Sequence, residues 1–388
     1  MALALLAGAC AALPPPRPEP GPAARGCATS AASIGFDFEG ASQSRCIIEG
    51  ERKFTVLISP EHAPPINPSA WYAFRYHAEP GAPVDVQLSY LEGFHRYRPQ
   101  LTVEAATTPL EAAVAEDGKS ARIALPPGEG RVSGQEVFAS ARYEALSKRL
   151  APVAKRVRLG TSHDRRPIEG LHFGSAKAPR LIVLLGRAHP PEVSGAVAME
   201  AFLEAIADRF AEATIDPARY QVLAVPLLNP DGVARGHWRA NLGGQDLNRD
   251  WGDFTQPETT AVKAWLDRLD PAIRPVAMVD FHSTRTNLFY VQGEEETDAR
   301  EEAFLAHWLK ASVDRLPDYP FTIERRNANP GSGTSKNWFH ETYDIPSYTY
   351  EVADEADRDA VRAAARHFAA EFVGSLDMLA ADGGEQSE

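Results

Sequence analysis

Short apolar runs divided by glycine and proline fill the chain from residue 34 to about residue 140. CIIEG (46–50), KFTVLIS (53–59), WYAFRYHAEP (71–80), VDVQLSYLEG (84–93) and ARIALPP (121–127) have the length and spacing of strands in a β-sandwich. The pattern changes near Ser140. In RYEALSKRLAPVAK (142–155), Tyr143, Leu146 and Leu150 recur at helical spacing. LIVLL (181–185) is an unbroken aliphatic run, as expected of a strand buried on both faces. It leads through a loop into SGAVAMEAFLEAIADRF, where Met199, Phe202, Leu203, Ile206 and Phe210 form an apolar stripe. QVLAVPLL (221–228), PVAMVDF (275–281) and PSYTYEV (346–352) read as further strands. Residues 359–379 read as a closing helix through Val361, Ala364, Phe368 and Phe372. Strands alternating with helices predict an α/β fold, a mixed, mostly parallel sheet covered by helices on both faces, preceded by a small all-β sandwich. The expected division is a leader-like segment and Pro-rich linker over 1–33, the sandwich over 34–140, the α/β domain over 141–380 and a disordered tail over 381–388.

Composition narrows the function classes. The 388 residues are 44% hydrophobic and carry a formal charge of −13, an unfavourable balance for binding nucleic acid. Thirteen apolar residues open the chain, too few to span a bilayer, and no later segment is apolar enough to do so. They look like the apolar part of a secretory signal, or of a lipoprotein signal with Cys10 as the lipid-anchored residue. On that reading a periplasmic or secreted location is favoured over a cytoplasmic one, and Cys27 and Cys46 are available to pair. No Cys-x-x-Cys motif occurs, which argues against a thiolate metal site.

The candidate chemistry gathers at strand exits. His189 and Glu192 follow LIVLL in HPPE, His282 ends PVAMVDFHS, and Glu351 ends PSYTYE. Functional groups in open α/β sheets collect beyond the carboxyl ends of strands. Two imidazoles and a carboxylate suit a catalytic zinc that keeps one position open for water. His189, Glu192 and His282 would be the ligands. Glu351 would take a proton from the metal-bound water and pass it to the leaving group. Pro190 and Pro191 disfavour a helical placement of His189 and stiffen the loop between the first two ligands. No Gly-x-Ser-x-Gly turn is present, which leaves a serine hydrolase without support.

Between the two metal segments, residues 227–251 are rich in turn formers and contain Arg235, Arg239 and Arg249. Arginine offers the bidentate donors that a substrate carboxylate needs, and Asn248 stands beside Arg249. The bland alternative is that Arg239 and Arg249 pair with Asp246 or Asp250. HPPE, NPDG, DLNR, DFHS and YTYE, in this order over about residues 143–375, resemble the zinc metallocarboxypeptidases of the carboxypeptidase A type. The branch most similar is that of the cytosolic carboxypeptidases, which has bacterial members. WYAF after INPS is similar to that branch's amino-terminal β-sandwich.

The resemblance implies a carboxypeptidase-like fold, one Zn2+ per chain, and a peptide or protein C-terminus as substrate. It implies zinc ligation by His189, Glu192 and His282, and acid–base work by Glu351. Asn248 and Arg249 would hold the terminal carboxylate, and Arg239 would polarise the scissile carbonyl. Lys336, within SGTSKNW (332–338), would line the side-chain pocket and favour a C-terminal Glu or Asp. Many relatives place a mobile tyrosine just before that segment. Here Asn329 takes the place, which leaves the role vacant or shifts it to Tyr343 or Tyr348. The rival readings are a zinc-dependent deacylase of acylated amino acids and an inactive secreted binding homologue.

Overall fold

Alternation decides the first part of the chain. Val84–Tyr90, Lys53–Ile58 and Ser120–Leu125 bury every second side chain and turn the others outward. The structure, a computed structural model, describes residues 25–64, 69–326 and 332–379. The expectations for the leader, for Cys10, for Asn329 and for the tail lie outside those residues. A five-stranded sheet runs Arg45–Gly50, Lys53–Ile58, Val84–Tyr90, Ser120–Leu125, Ala113–Val114. A six-stranded sheet runs Cys27–Ala28, Ala32–Gly35, Ala73–Ala78, Gly128–Ser133, Gln100–Val103, Ala106–Pro109. Val56, Leu88 and Ile123 of the first share one buried cluster with Ile34, Phe74 and Val132 of the second.

Among the described residues, sheet structure begins at Cys27, upstream of the residue 34 expected from the sequence. Cys27 and Cys46 form a disulfide with their Cα atoms 5.6 Å apart, and it ties the two sheets together at one edge. Closing a loop of sequence separation 19 stabilises the fold by about 3 kcal/mol in the chain-entropy account. A Cys27→Ser/Cys46→Ser variant is therefore expected to melt several degrees below the oxidised parent. Equal melting temperatures, with and without reductant, would remove the disulfide from the stability of this region.

Helix Ser140–Leu150 buries Tyr143, Leu146 and Leu150 as expected. It stops short of Lys155 because Pro152 has no amide to extend the ladder. An eight-stranded sheet follows, in the order Ala154–Thr161, Pro167–Gly174, Tyr220–Val225, Arg180–Gly186, Arg274–Thr284, Ser347–Ala353, Leu288–Val291, Thr322–Arg325. The four from Tyr220–Val225 to Ser347–Ala353 run parallel.

The LIVLL strand shows why the run is unbroken. Ile182 and Leu184 join the cluster on one face with Phe202 and Phe368. Leu181, Val183 and Leu185 join the other, with Val262 and Phe339. Helices Val193–Ala211 and Arg358–Ser375 cover the first face. Helices Pro257–Leu266 and Ser335–Tyr343 cover the second. The stripe on Val193–Ala211 is wider than predicted, because Arg358–Ser375 packs along its flank in addition to the sheet beneath it.

From Arg180–Gly186 the chain passes through Val193–Ala211 to its neighbour Tyr220–Val225. It then crosses to the opposite side, to Arg274–Thr284. The strand order reverses there, and a cleft opens at the carboxyl ends of the two strands. Among the described residues, no helix is long and apolar enough to cross a membrane.

Candidate active site

The reversal point places the first donors. Arg180–Gly186 delivers the loop 187–192, and Glu192 stands at the position just before helix Val193–Ala211, with its side chain free of capping bonds to that helix. His282 and Glu351 lie inside their strands, not beyond them as the sequence suggested, and they are direct partners in the parallel register. Both side chains therefore project from the same face, on strands about 4.8 Å apart. Gly195, in the first turn of the helix, permits a close approach between the two segments. A Cβ there would sit 2.4 Å from the His282 carbonyl oxygen.

His189, Glu192 and His282 are buried, and one donor atom from each lies within 4.8 Å of the others. Nδ1 of His189 stands 2.8 Å from one Glu192 oxygen, and Nδ1 of His282 stands 2.8 Å from the other. The two Nδ1 atoms are 3.1 Å apart. On the far side of each ring, Nε2 of His189 meets Asp246 at 2.9 Å and Nε2 of His282 meets Asp280 at 3.0 Å. Each ring thus has a carboxylate at both nitrogens; with Nε2–H donated outward to Asp246 or Asp280, each Nδ1 is free to turn a lone pair inward to a cation. Two lone pairs and a carboxylate facing one another need a positive charge between them.

The electrostatics agree. Burial alone would lower the His282 pKa, yet Asp280 and Glu192 on its two nitrogens raise it well above the usual value. Burial opposes ionisation of Glu192, but the two imidazoles hold its carboxyl below the usual range. Nitrogen and oxygen donors in this set fit a zinc ion.

Glu351 looks into the same cleft. Its Oε2 is buried with no hydrogen-bond partner among the described residues. Burial pushes its carboxyl up to about 7, with His282 opposing and Glu192 adding to the rise. Arg239 donates from Nε to Asp246 at 2.8 Å and from Nη1 to His189 Nδ1 at 3.2 Å. The local pairing weighed from sequence is thus real for Arg239, and the same side chain also reaches the donor cluster. Arg249 takes neither acid: its Nη1 donates to the Asn248 carbonyl at 2.5 Å. Asn248 accepts from the Ser335 amide at 2.9 Å, which fixes it at the start of helix Ser335–Tyr343.

Lys336 is buried in the same wall. It donates to Gln292 and to the Arg326 carbonyl, and it makes no ion pair among the described residues. All eight residues singled out in the sequence line one cleft of about 360 Å³.

Several neighbours escaped the sequence reading. Asp280 could have been found, since two residues before His282 on a strand is the same face. Arg187, buried at φ 57°, braces the ligand loop through Nε to the Pro190 carbonyl at 2.9 Å. Ser69 and Arg96 reach the cleft from the β-rich region, with no local signal to mark them. Neither tyrosine proposed for the vacant role reaches the cleft. Tyr348 is buried against Phe304 and Trp308, and Tyr343 packs on Trp338 and Phe339. Among the described residues, the tyrosine that lines the cleft is Tyr290.

Buried donors able to hold a cation, with a basic carboxylate at their side, are the apparatus of metal-dependent hydrolysis. Comparison with known proteins makes the class specific. Residues 141–369 match the family model for zinc carboxypeptidase. The chain belongs to that family, whose members are zinc-dependent hydrolases of the exopeptidase kind.

Cytosolic carboxypeptidase 6 of Caenorhabditis elegans is 30% identical over 187 residues, 45% of this chain and 40% of that protein. Cytosolic carboxypeptidase 2 of Danio rerio is 28% identical over 171 residues, 42% of this chain and 24% of that protein. The chain thus matches less than half the length of either relative. Among solved structures, a metallo-carboxypeptidase from Burkholderia cenocepacia shares the fold with a TM-score of 0.73 at 18% identity. It covers 89% of this chain and 99% of its own. One from Pseudomonas aeruginosa gives 0.71 at 20%, covering 89% and 99%.

Proposed function

We propose that this chain is a metallocarboxypeptidase holding one zinc and releasing the last residue of a peptide. The observation that carries the reading is the inward-facing set of His189, Glu192 and His282 with Glu351 beside it in one cleft. Zinc bound by those three side chains would supply Lewis acidity to the scissile carbonyl and to the attacking water.

The chain's own residues do the rest. Glu351, unpaired at Oε2, accepts the water's proton and returns it to the leaving amine. Arg239 directs a guanidinium at the carbonyl oxygen as negative charge develops there. Arg249 and Asn248 bind the substrate's terminal carboxylate. Asp246 and Asp280 hold the two imidazoles in the tautomer that faces the metal.

The test is a set of blocked peptides differing only in the last residue, assayed with and without a chelator. Release of the terminal amino acid, lost on chelation and restored by zinc, is the expected result. Turnover of N-acyl amino acids with none of peptides would overturn the reading in favour of a deacylase.

The same set examines specificity. A buried ammonium that makes no ion pair among the described residues, with Glu296 acting on it only at longer range, favours an anionic ligand, so C-terminal Glu and Asp should be preferred. Lys336→Met is expected to reduce kcat/KM on Glu-terminal peptides by about 10- to 100-fold, the worth of one charged hydrogen bond. Burial pulls the Lys336 ammonium down to about 8. It deprotonates as pH rises through that value, so the preference for acidic ends should fade above it. Equal or better turnover of Phe and Lys ends would reject the acidic preference.

A further inference from the structure

The β-rich region touches the cleft at places where it can act on the chemistry. Arg96 bridges Ser69, at 2.7 Å, to Asp354, at 2.9 Å, three residues past Glu351. The more telling contact is Glu61. Its Oε1 accepts the amides of Arg239, at 3.0 Å, and Ala240, at 2.7 Å, and its Oε2 accepts that of Trp238, at 2.7 Å. Three consecutive backbone amides form a cup for an anion. Here the anion is a carboxylate supplied from 177 residues earlier in the chain.

The segment 236–246 contains neither helix nor strand. Buried amides in such a loop need acceptors, and for these three Glu61 is the acceptor. The Arg239 side chain is then fixed at its other end, where Nε donates to Asp246, the residue that also orients His189.

We infer that Glu61 is a positioning residue for Arg239, so that the β-rich region sets the aim of the group facing the scissile carbonyl. This rests on the reading of Arg239 given above. A residue clamped by its backbone on one side and its guanidinium on the other has little freedom to drift. Misplacing a catalytic group by an ångström lowers the rate by as much as ~10²-fold. A carbonyl donor matters most when the oxyanion forms, so the loss should fall on kcat, with KM almost unchanged.

The experiment is a double-mutant cycle in the zinc-loaded full chain, on whichever panel peptide the parent turns over fastest. Glu61→Ala should lower kcat about tenfold with KM within about twofold and zinc content unchanged. Glu61→Gln should lose less, because its carbonyl oxygen can keep the Arg239 and Ala240 amides. Arg239→Ala should cost about 10²-fold. Once Arg239 is absent, removing Glu61 should cost nothing further.

If Arg239→Ala is impaired while Glu61→Ala matches the parent, or if the two losses multiply, Glu61 is no positioning residue, and the reading of Arg239 survives. If Arg239→Ala turns over like the parent, that reading falls and the inference falls with it. Should Glu61→Ala fail to fold, Glu61→Gln carries the same cycle.

Discussion

Glu351→Gln should keep its zinc and lose turnover by about 10³-fold or more, the scale of general acid–base catalysis. The substitution is close to isosteric. It breaks no hydrogen bond at Oε2, because that atom has no partner among the described residues. Glu351 lies within the parallel register, paired with His282, so the strand has no reason to move. What disappears is a carboxyl that burial has already pushed up to about 7, close to the range in which a base can both take and return a proton. The check is kcat together with metal content by mass spectrometry. Activity within about tenfold of the parent would mean that another group is the base.

His189→Ala should lose zinc and turnover together, by roughly 10³-fold in rate at equimolar metal, since a catalytic zinc needs its three protein ligands. The loss also reaches the fold. His189 sits between Glu192 and Asp246, and its removal leaves two carboxylates without the group that separates them. Both keep a second partner, Arg239 at Asp246 and His282 at Glu192, so the loss should stay below the about 3–5 kcal/mol of a fully unpaired buried charge. The variant should therefore melt below the parent, and added zinc should not restore the difference. A variant that binds zinc as tightly as the parent would remove His189 from the metal centre and with it the basis of the proposed reaction.

Much of this was legible in the chain itself. LIVLL announced a strand buried on both faces because no residue in it tolerates water. The two prolines after His189 announced a rigid loop. HPPE lay just past a strand, and DFHS and YTYE in the last residues of theirs, where the fold concentrates chemistry. What escaped has a physical reason in each case. Ala154–Thr161 carries Lys155, Arg156 and Arg158 along an edge exposed on one side, so its hydrophobic signal is thin. Leu288–Val291 and Thr322–Arg325 are four residues each, too short for periodicity to declare. Glu61 and Arg96 meet Arg239 and Asp354 across 178 and 258 residues of chain, and no local pattern encodes such contacts. The candidate tyrosines failed because proximity in sequence to SGTSKNW says nothing of which way a buried ring turns.

Gly195 bears on how the metal centre keeps its calibre. The helix that begins beside Glu192 and the strand that carries His282 touch there backbone to backbone, and the glycine amide donates to Ser283 Oγ at 2.8 Å. The missing methyl group is what lets the two halves of the proposed cage come this close. An alanine at this point would push helix from strand and widen the cage, leaving the three candidate ligands chemically intact but out of reach of a common ion.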